Sequence, residues 1–175
     1  MAELIVALDV PAPAAVPPVL AALGGDVGFY KIGLELFCAG GPAVVQAVAD
    51  AGKRVFLDLK LHDIPRTVAR AVASASRLRV DLMTLHAAGG RAMIAAAAQA
   101  ARDCPPGQRP KLLAVTMLTS LEQADLDDLG VGRGMADQVE SLACLALESG
   151  ADGVVCSPRE VGRLRALLPP GALLV

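Results

Sequence analysis

Tryptophan is absent from this chain, and its aromatics, Phe29, Tyr30, Phe37 and Phe56, amount to 2% of the residues. So few rings leave no platform on which nucleic-acid bases would stack. Basic charge has no surplus either: 16 Lys and Arg stand against 18 Asp and Glu, a net charge of −2. Nothing is left over to follow a phosphate backbone, and a nucleic-acid partner is excluded. Prolines and charges interrupt every apolar run before it is long enough to span a bilayer, so no membrane partner is expected. The N-terminal stretch MAELIVALDV has no basic segment ahead of its apolar residues, since the first Lys or Arg is Lys31. It does not read as a signal peptide. Cys38, Cys104, Cys144 and Cys156 are scattered, with no CxxC pair and no histidine at ligand spacing. They read as free thiols in a reducing cytoplasm, with neither a disulfide nor a zinc site.

What the chain does have is apolar residues, 54% of 175, mostly alanine, valine and leucine. That suffices for one domain with a real core, and residues 1–175 read as a single unit without a linker. Short β-like runs alternate with amphipathic stretches throughout. Strands are expected at Leu4–Leu8, Phe29–Ile32, Arg54–Leu59, Val80–Leu85, Leu112–Met117 and Gly153–Cys156, with a seventh from Ala172. Helices are expected over Ala14–Leu23, Pro42–Ala51, Pro65–Ser76, Arg91–Ala101, Met135–Glu148 and Pro158–Leu167, and a polar loop precedes Met135. Strict βαβα alternation implies a parallel sheet with helices packed outside it.

Such a sheet is either doubly wound or closed into a barrel. The first strand ends Leu8-Asp9-Val10-Pro11, and neither GxGxxG nor GxxxxGK[ST] occurs, which removes the usual dinucleotide and nucleotide loops. Polar residues instead gather at the C-terminal ends of the strands: Asp9, Lys31, Asp58, Lys60, His86, Thr116, Thr119 and Ser157. In a (β/α)8 TIM barrel those ends ring the mouth that holds the active site. The α/β barrel is therefore the expected fold. Seven strands are present where eight are needed, and a barrel of this type runs to about 250 residues. The domain reads as incomplete at its C-terminus.

The third strand carries the chemistry. Side chains alternate along Val55-Phe56-Leu57-Asp58-Leu59-Lys60, so Phe56, Asp58 and Lys60 share one face. On an edge strand Asp58 and Lys60 would form a weak surface pair. On a central parallel strand, covered on both sides, they would be buried or in a site. The flanking βα units favour the second reading, because buried ion pairs cost several kcal/mol to desolvate and are seldom kept for stability.

Asp58-Leu59-Lys60-Leu61-His62-Asp63 resembles the DxKxxD signature of the orotidine 5′-phosphate decarboxylase suprafamily, and the longer DLKLHDIP resembles its bacterial decarboxylases. Ala7-Leu8-Asp9, Lys31-Ile32-Gly33, His86-Ala-Ala-Gly-Gly90, the stretch Ala114 to Ser120 and Asp152 to Ser157 match in the same order, so the likeness covers the whole chain. It implies decarboxylation of orotidine 5′-phosphate to UMP without metal or other cofactor. Lys60 is implied as the acid that protonates pyrimidine carbon 6, with Asp58 beside the substrate carboxylate. Lys31 and Asp63 would complete an alternating charged array. Asp9 and Lys31 would hold ribose hydroxyls, and Thr119 the pyrimidine ring. Asp63, Ile64 and Thr67 would reach into the site of a second subunit, making a homodimer.

Several residues take plainer readings. His62 is expected to be structural, His86 to be a packed and hydrogen-bonded histidine, and Lys53 and Arg54 to be solvated charges. Arg66 stands where the family usually has a small polar residue, and Arg79 where glycine is common. The family's phosphate-binding elements follow strands seven and eight, so the 175-residue chain by itself is expected to bind nucleotide poorly and to decarboxylate weakly or not at all. A magnesium-dependent sugar-phosphate decarboxylase or hexulose-phosphate synthase shares DxKxxD but lacks the HDIP continuation. A non-catalytic barrel fragment is the remaining alternative.

Overall fold

A computed structural model describes residues 2–175. Seven parallel strands form one curled half-barrel in simple sequential order: β1 (Val6–Ala7), β2 (Phe29–Gly33), β3 (Arg54–Leu61), β4 (Leu82–His86), β5 (Lys111–Val115), β6 (Gly153–Val155) and β7 (Leu173–Leu174). Between them lie α1 (Val16–Leu23), α2 (Leu34–Gly40), α3 (Pro42–Asp50), α4 (Pro65–Ser76), α5 (Gly90–Arg102), α6 (Gln123–Asp128), α7 (Met135–Glu148) and α8 (Val161–Leu167). None of these helices is long and apolar enough to cross a membrane. The third strand pairs with β2 on one side and β4 on the other, so it is not an edge strand.

Alternation divides the core into two layers. Tyr30, Ile32, Val55, Leu57, Met83, Leu85, Leu112 and Ala114 face outward and pack under the helices. The helices answer with residues three and four apart: Val68 and Val72 on α4, Met93, Ile94, Ala97, Ala98 and Ala101 on α5, and Val139, Leu142, Ala143 and Ala146 on α7. Alanine on α5 and α7 keeps that layer thin. Phe29, Phe56, Leu82 and Leu113 face inward and form a second, smaller cluster near the strand starts. The interior is thus apolar at its base, and polar side chains (Lys31, Asp58 and Thr84) appear one step further along β2, β3 and β4. At Gly153 an added Cβ would run into the Leu173 carbonyl, so the bare backbone is what lets β7 sit against β6.

Several expectations need correction. Strand five ends at Val115 and strand six at Val155, which leaves Thr119 and Ser157 on the following loops. The short α2 follows β2 directly, with Leu36 its one buried residue, so it left no periodic trace in the sequence. The stretch read as a polar loop contains α6. Its N-terminus is closed by Glu122 and Asp125, each carboxylate accepting a backbone N–H of the other residue's turn.

Lys53 and Arg54 are not free solvated charges. Lys53 Nζ donates to the Val27 carbonyl at 2.9 Å. Arg54 donates to Asp81 at 2.9 Å and to Glu3 at 2.6 Å while lying 4.1 Å above the Phe29 ring. It clamps the lower rim across three segments of chain. Arg79 has φ +56, the left-handed backbone region in which glycine is at ease.

Candidate active site

The polar residues above the apolar base meet at the mouth. Asp58, its side chain 11% exposed, receives the Lys60 ammonium on both oxygens at 3.0 and 2.9 Å. Lys31 Nζ, from the neighbouring β2, lies 3.6 Å from Oδ2 of that carboxylate, an oxygen it shares with Lys60. Lys31 also reaches Asp9, beyond the end of β1, at 3.4 Å. The result is a row alternating in sign, Asp9–Lys31–Asp58–Lys60, spread over three adjacent strands. Gly33 makes room for it: a Cβ there would stand 3.3 Å from the Lys31 ammonium.

Lys60 does not reach this row by simple alternation. Leu57 pairs with Met83 but Leu61 pairs with Leu85, so four steps along β3 match two along β4. Within this irregular stretch Lys60 adopts φ +51, and both Leu59 and Leu61 pack outward. Left-handed backbone costs a Cβ-bearing residue roughly 1–2 kcal/mol. Such cost is tolerated where the surroundings impose it, and it clusters at functional sites.

Thr84 belongs to the same constellation, although nothing in its own type announces it. It is buried on the inner face of β4, donates its hydroxyl to Asp58 Oδ1 at 2.9 Å, and accepts the Lys60 backbone N–H at 2.9 Å. The period-two pattern Leu82, Thr84, His86 was the available signal, because it sets Thr84 and His86 on the face of the inner apolar cluster.

His86 closes the mouth beside β3. Its ring lies 5.4 Å from that of His62. Partial burial lowers its pKa from 6.5, and the charges of His62 and Lys60 add to the effect while Asp58 opposes it. A histidine held neutral in the fold takes up protons less readily than in the unfolded chain. Stability is therefore full above about 6.5 and falls as pH drops from there towards the lowered folded value. The expected result is a larger loss of urea stability between about pH 7.5 and about pH 5 in the native protein than in His86→Gln. Equal losses would assign the effect to other groups.

Asp63 stands apart from the row in its own chain. It is exposed, and its carboxylate accepts the Ile64 N–H at 2.6 Å. Ile64, 67% exposed, and the exposed Thr67 lie beside it at the start of α4. Thr119 lines a cleft of about 200 Å3 with Met117, Leu121, Met135, Ser157 and Glu160, which none of the four charged residues lines. A cavity of about 490 Å3 opens at the opposite end of the strands among Glu3, Phe29, Arg54 and Leu173, and none of the charged row lines it. Among the described residues no three His, Cys, Asp or Glu side chains gather as a set of metal ligands.

The sequence profile of the orotidine 5′-phosphate decarboxylase / HUMPS family matches residues 2–175. The orotidine 5′-phosphate decarboxylase of Opitutus terrae is 49% identical over 173 residues, covering 99% of this chain and 74% of the relative. That of an Anaeromyxobacter species is 52% identical over 169 residues, covering 97% and 72%. Among solved structures, orotidine 5′-phosphate decarboxylase from Lactobacillus acidophilus superposes with a TM-score of 0.92 at 41% identity, over 98% of this chain and 79% of the other. An uncharacterized conserved protein from Geobacillus kaustophilus gives 0.93 at 42% identity, over 97% and 80%.

Proposed function

Because this chain belongs to the orotidine 5′-phosphate decarboxylase / HUMPS family, we infer that it is a carbon–carbon lyase that decarboxylates orotidine 5′-phosphate, and we propose that the row of charges at the barrel mouth carries out the step. The observation that carries this reading is the Asp58–Lys60 pair, enclosed above an apolar base and reached by a second ammonium, Lys31.

In the reaction the bond between pyrimidine carbon 6 and the carboxylate breaks, carbon dioxide departs, and the electron pair stays on carbon 6. That orbital lies in the ring plane, where the π system cannot spread the charge. A fixed ammonium offers the needed stabilisation, and Lys60 then transfers a proton to carbon 6 to give UMP. The amine it leaves is reprotonated from water. No step in this account calls on a metal or organic cofactor. Asp58 lies beside the departing carboxylate and holds Lys60 in its aim. Lys31 and Asp9 face the ribose hydroxyls, and Thr119 contacts the pyrimidine ring. Incubation with excess orotidine 5′-phosphate should release carbon dioxide and form UMP in equal amounts, at a low rate for residues 1–175 because nucleotide binding is expected to be weak. Release without UMP, or neither, would remove the assignment.

Asp63, Ile64 and Thr67 are exposed at the head of α4 and make no bond to their own chain's charged row. We propose that they complete the mouth of a second copy, so that the functional unit is a homodimer. Light scattering should give twice the monomer mass, and Ile64→Asp should shift it towards monomer with a parallel loss of activity. A fully active monomer would defeat the proposal.

A further inference from the structure

We propose that Thr84 is a positioning residue for the reacting amine, one hydroxyl setting both the backbone from which Lys60 projects and the carboxylate that the amine faces. The inference rests on the decarboxylase reading above and concerns a residue that touches neither carbon 6 nor the leaving group in that account.

The bonds have only one possible direction. A backbone N–H can only donate and an ionised carboxylate can only accept, while a hydroxyl has one proton to give and lone pairs to receive. The Lys60 N–H therefore donates to Thr84 Oγ1, and the Thr84 hydroxyl donates to Asp58 Oδ1, both at 2.9 Å. Thr84 is 1% exposed, so water does not readily stand in for it. It also sits at a particular place in the register. The β3 ladder loses step between Leu57 and Leu61, and Thr84 is the β4 residue between their partners, Met83 and Leu85. A side-chain oxygen takes the Lys60 N–H where the mismatched strands leave the regular ladder. The left-handed turn at Lys60, φ +51, is thereby tied to the adjoining strand.

The same turn brings the ammonium back over Asp58, two residues earlier, where it meets both carboxylate oxygens. Neighbouring residues on β4 offer no substitute: Met83 and Leu85 face the outer layer, and Leu82 belongs to the apolar base. Without the hydroxyl, a buried N–H loses its acceptor and the carboxylate loses a donor. The amine then rests on a looser backbone. Misplacement of a reacting group by about 1 Å costs on the order of 10²-fold in rate. The contacts proposed for the ribose, from Asp9 and Lys31, do not pass through Thr84.

Two variants of the full chain separate positioning from packing. Thr84→Val keeps the shape and removes the hydroxyl; Thr84→Ser keeps the hydroxyl and removes a methyl. Thr84→Val is expected to lower kcat roughly 10- to 10²-fold with KM changed by less than about threefold. Thr84→Ser should return kcat to within about threefold of native. Amide hydrogen exchange at Lys60, read by NMR, should be fast in Thr84→Val and protected in the native and Thr84→Ser proteins. An undiminished kcat in Thr84→Val, or a Thr84→Ser as impaired as the valine variant, overturns the inference. Unchanged exchange at Lys60 in Thr84→Val overturns it independently of any turnover. Lack of decarboxylation by the native chain, with the exchange pattern as expected, would instead bring down the decarboxylase reading and leave the Thr84 linkage standing.

Discussion

Lys60→Ala is expected to lower carbon dioxide release from orotidine 5′-phosphate by on the order of 10⁴-fold or more, because it removes a proton donor and a cation together. General acid catalysis alone accounts for about 10²- to 10⁴-fold, and preorganised charge at the developing anion contributes a further share that does not simply add. Lys60→Arg divides the two roles. Arginine keeps the positive charge but does not surrender its proton near neutral pH. It should remain at least about 10²-fold below the native rate. Fold and thermal stability should change little in either case, since the Lys60 side chain is 30% exposed and water solvates its replacement. Retention of native turnover in Lys60→Ala would transfer the chemistry to another group. Asp9, Lys31, Asp58, His62 and His86 would then be the titratable side chains left to carry it.

Asp58→Ala should be nearly as damaging for a different reason. One carboxylate stands between two ammoniums, at 2.9 Å from Lys60 and 3.6 Å from Lys31. Its removal leaves two like charges facing one another and deprives the Thr84 hydroxyl of its acceptor. Activity is expected to fall about 10²- to 10³-fold through loss of aim. Fully buried pairs broken on one side lose several kcal/mol, but both lysines reach solvent, so a stability loss of about 1–2 kcal/mol is expected here. Asp58→Asn tests whether shape or charge matters. It keeps an oxygen for Thr84 and discards the anion. If charge aligns Lys60, the asparagine variant should resemble the alanine one in steady-state assays. A near-native asparagine variant would show that hydrogen bonding alone holds the amine.

The barrel plan was legible because its signal repeats: each strand is a short apolar run, each helix an amphipathic one, and the order never breaks. The inward face of β3 was legible too, since Phe56 and Asp58 alternate with Val55 and Leu57. Lys60 followed that alternation in sequence but reaches Asp58 by another route, a left-handed backbone inside a slipped ladder. Periodicity carries no trace of such a slip, because it arises from pairing with a strand more than 20 residues away. Thr84 is silent in the sequence, since a threonine in Leu-Met-Thr-Leu-His looks like any β-forming residue. Arg54 is silent for a similar reason: its acidic partners lie 27 and 51 residues away in the chain. Helix α6 carries no familiar start signal, because two carboxylates close its N-terminus instead of a hydroxyl.

The apolar cluster of Phe29, Phe56, Leu82 and Leu113 acts as a partition within the molecule. Hydrocarbon offers no donors or acceptors along which a proton could hop, so the two ends of the barrel exchange no protons through it. The ionic clamp of Glu3, Arg54 and Asp81 lies below it, and the row from Asp9 to Lys60 above. Protonation of the lower clamp and of the upper row is thus settled by separate faces of solvent.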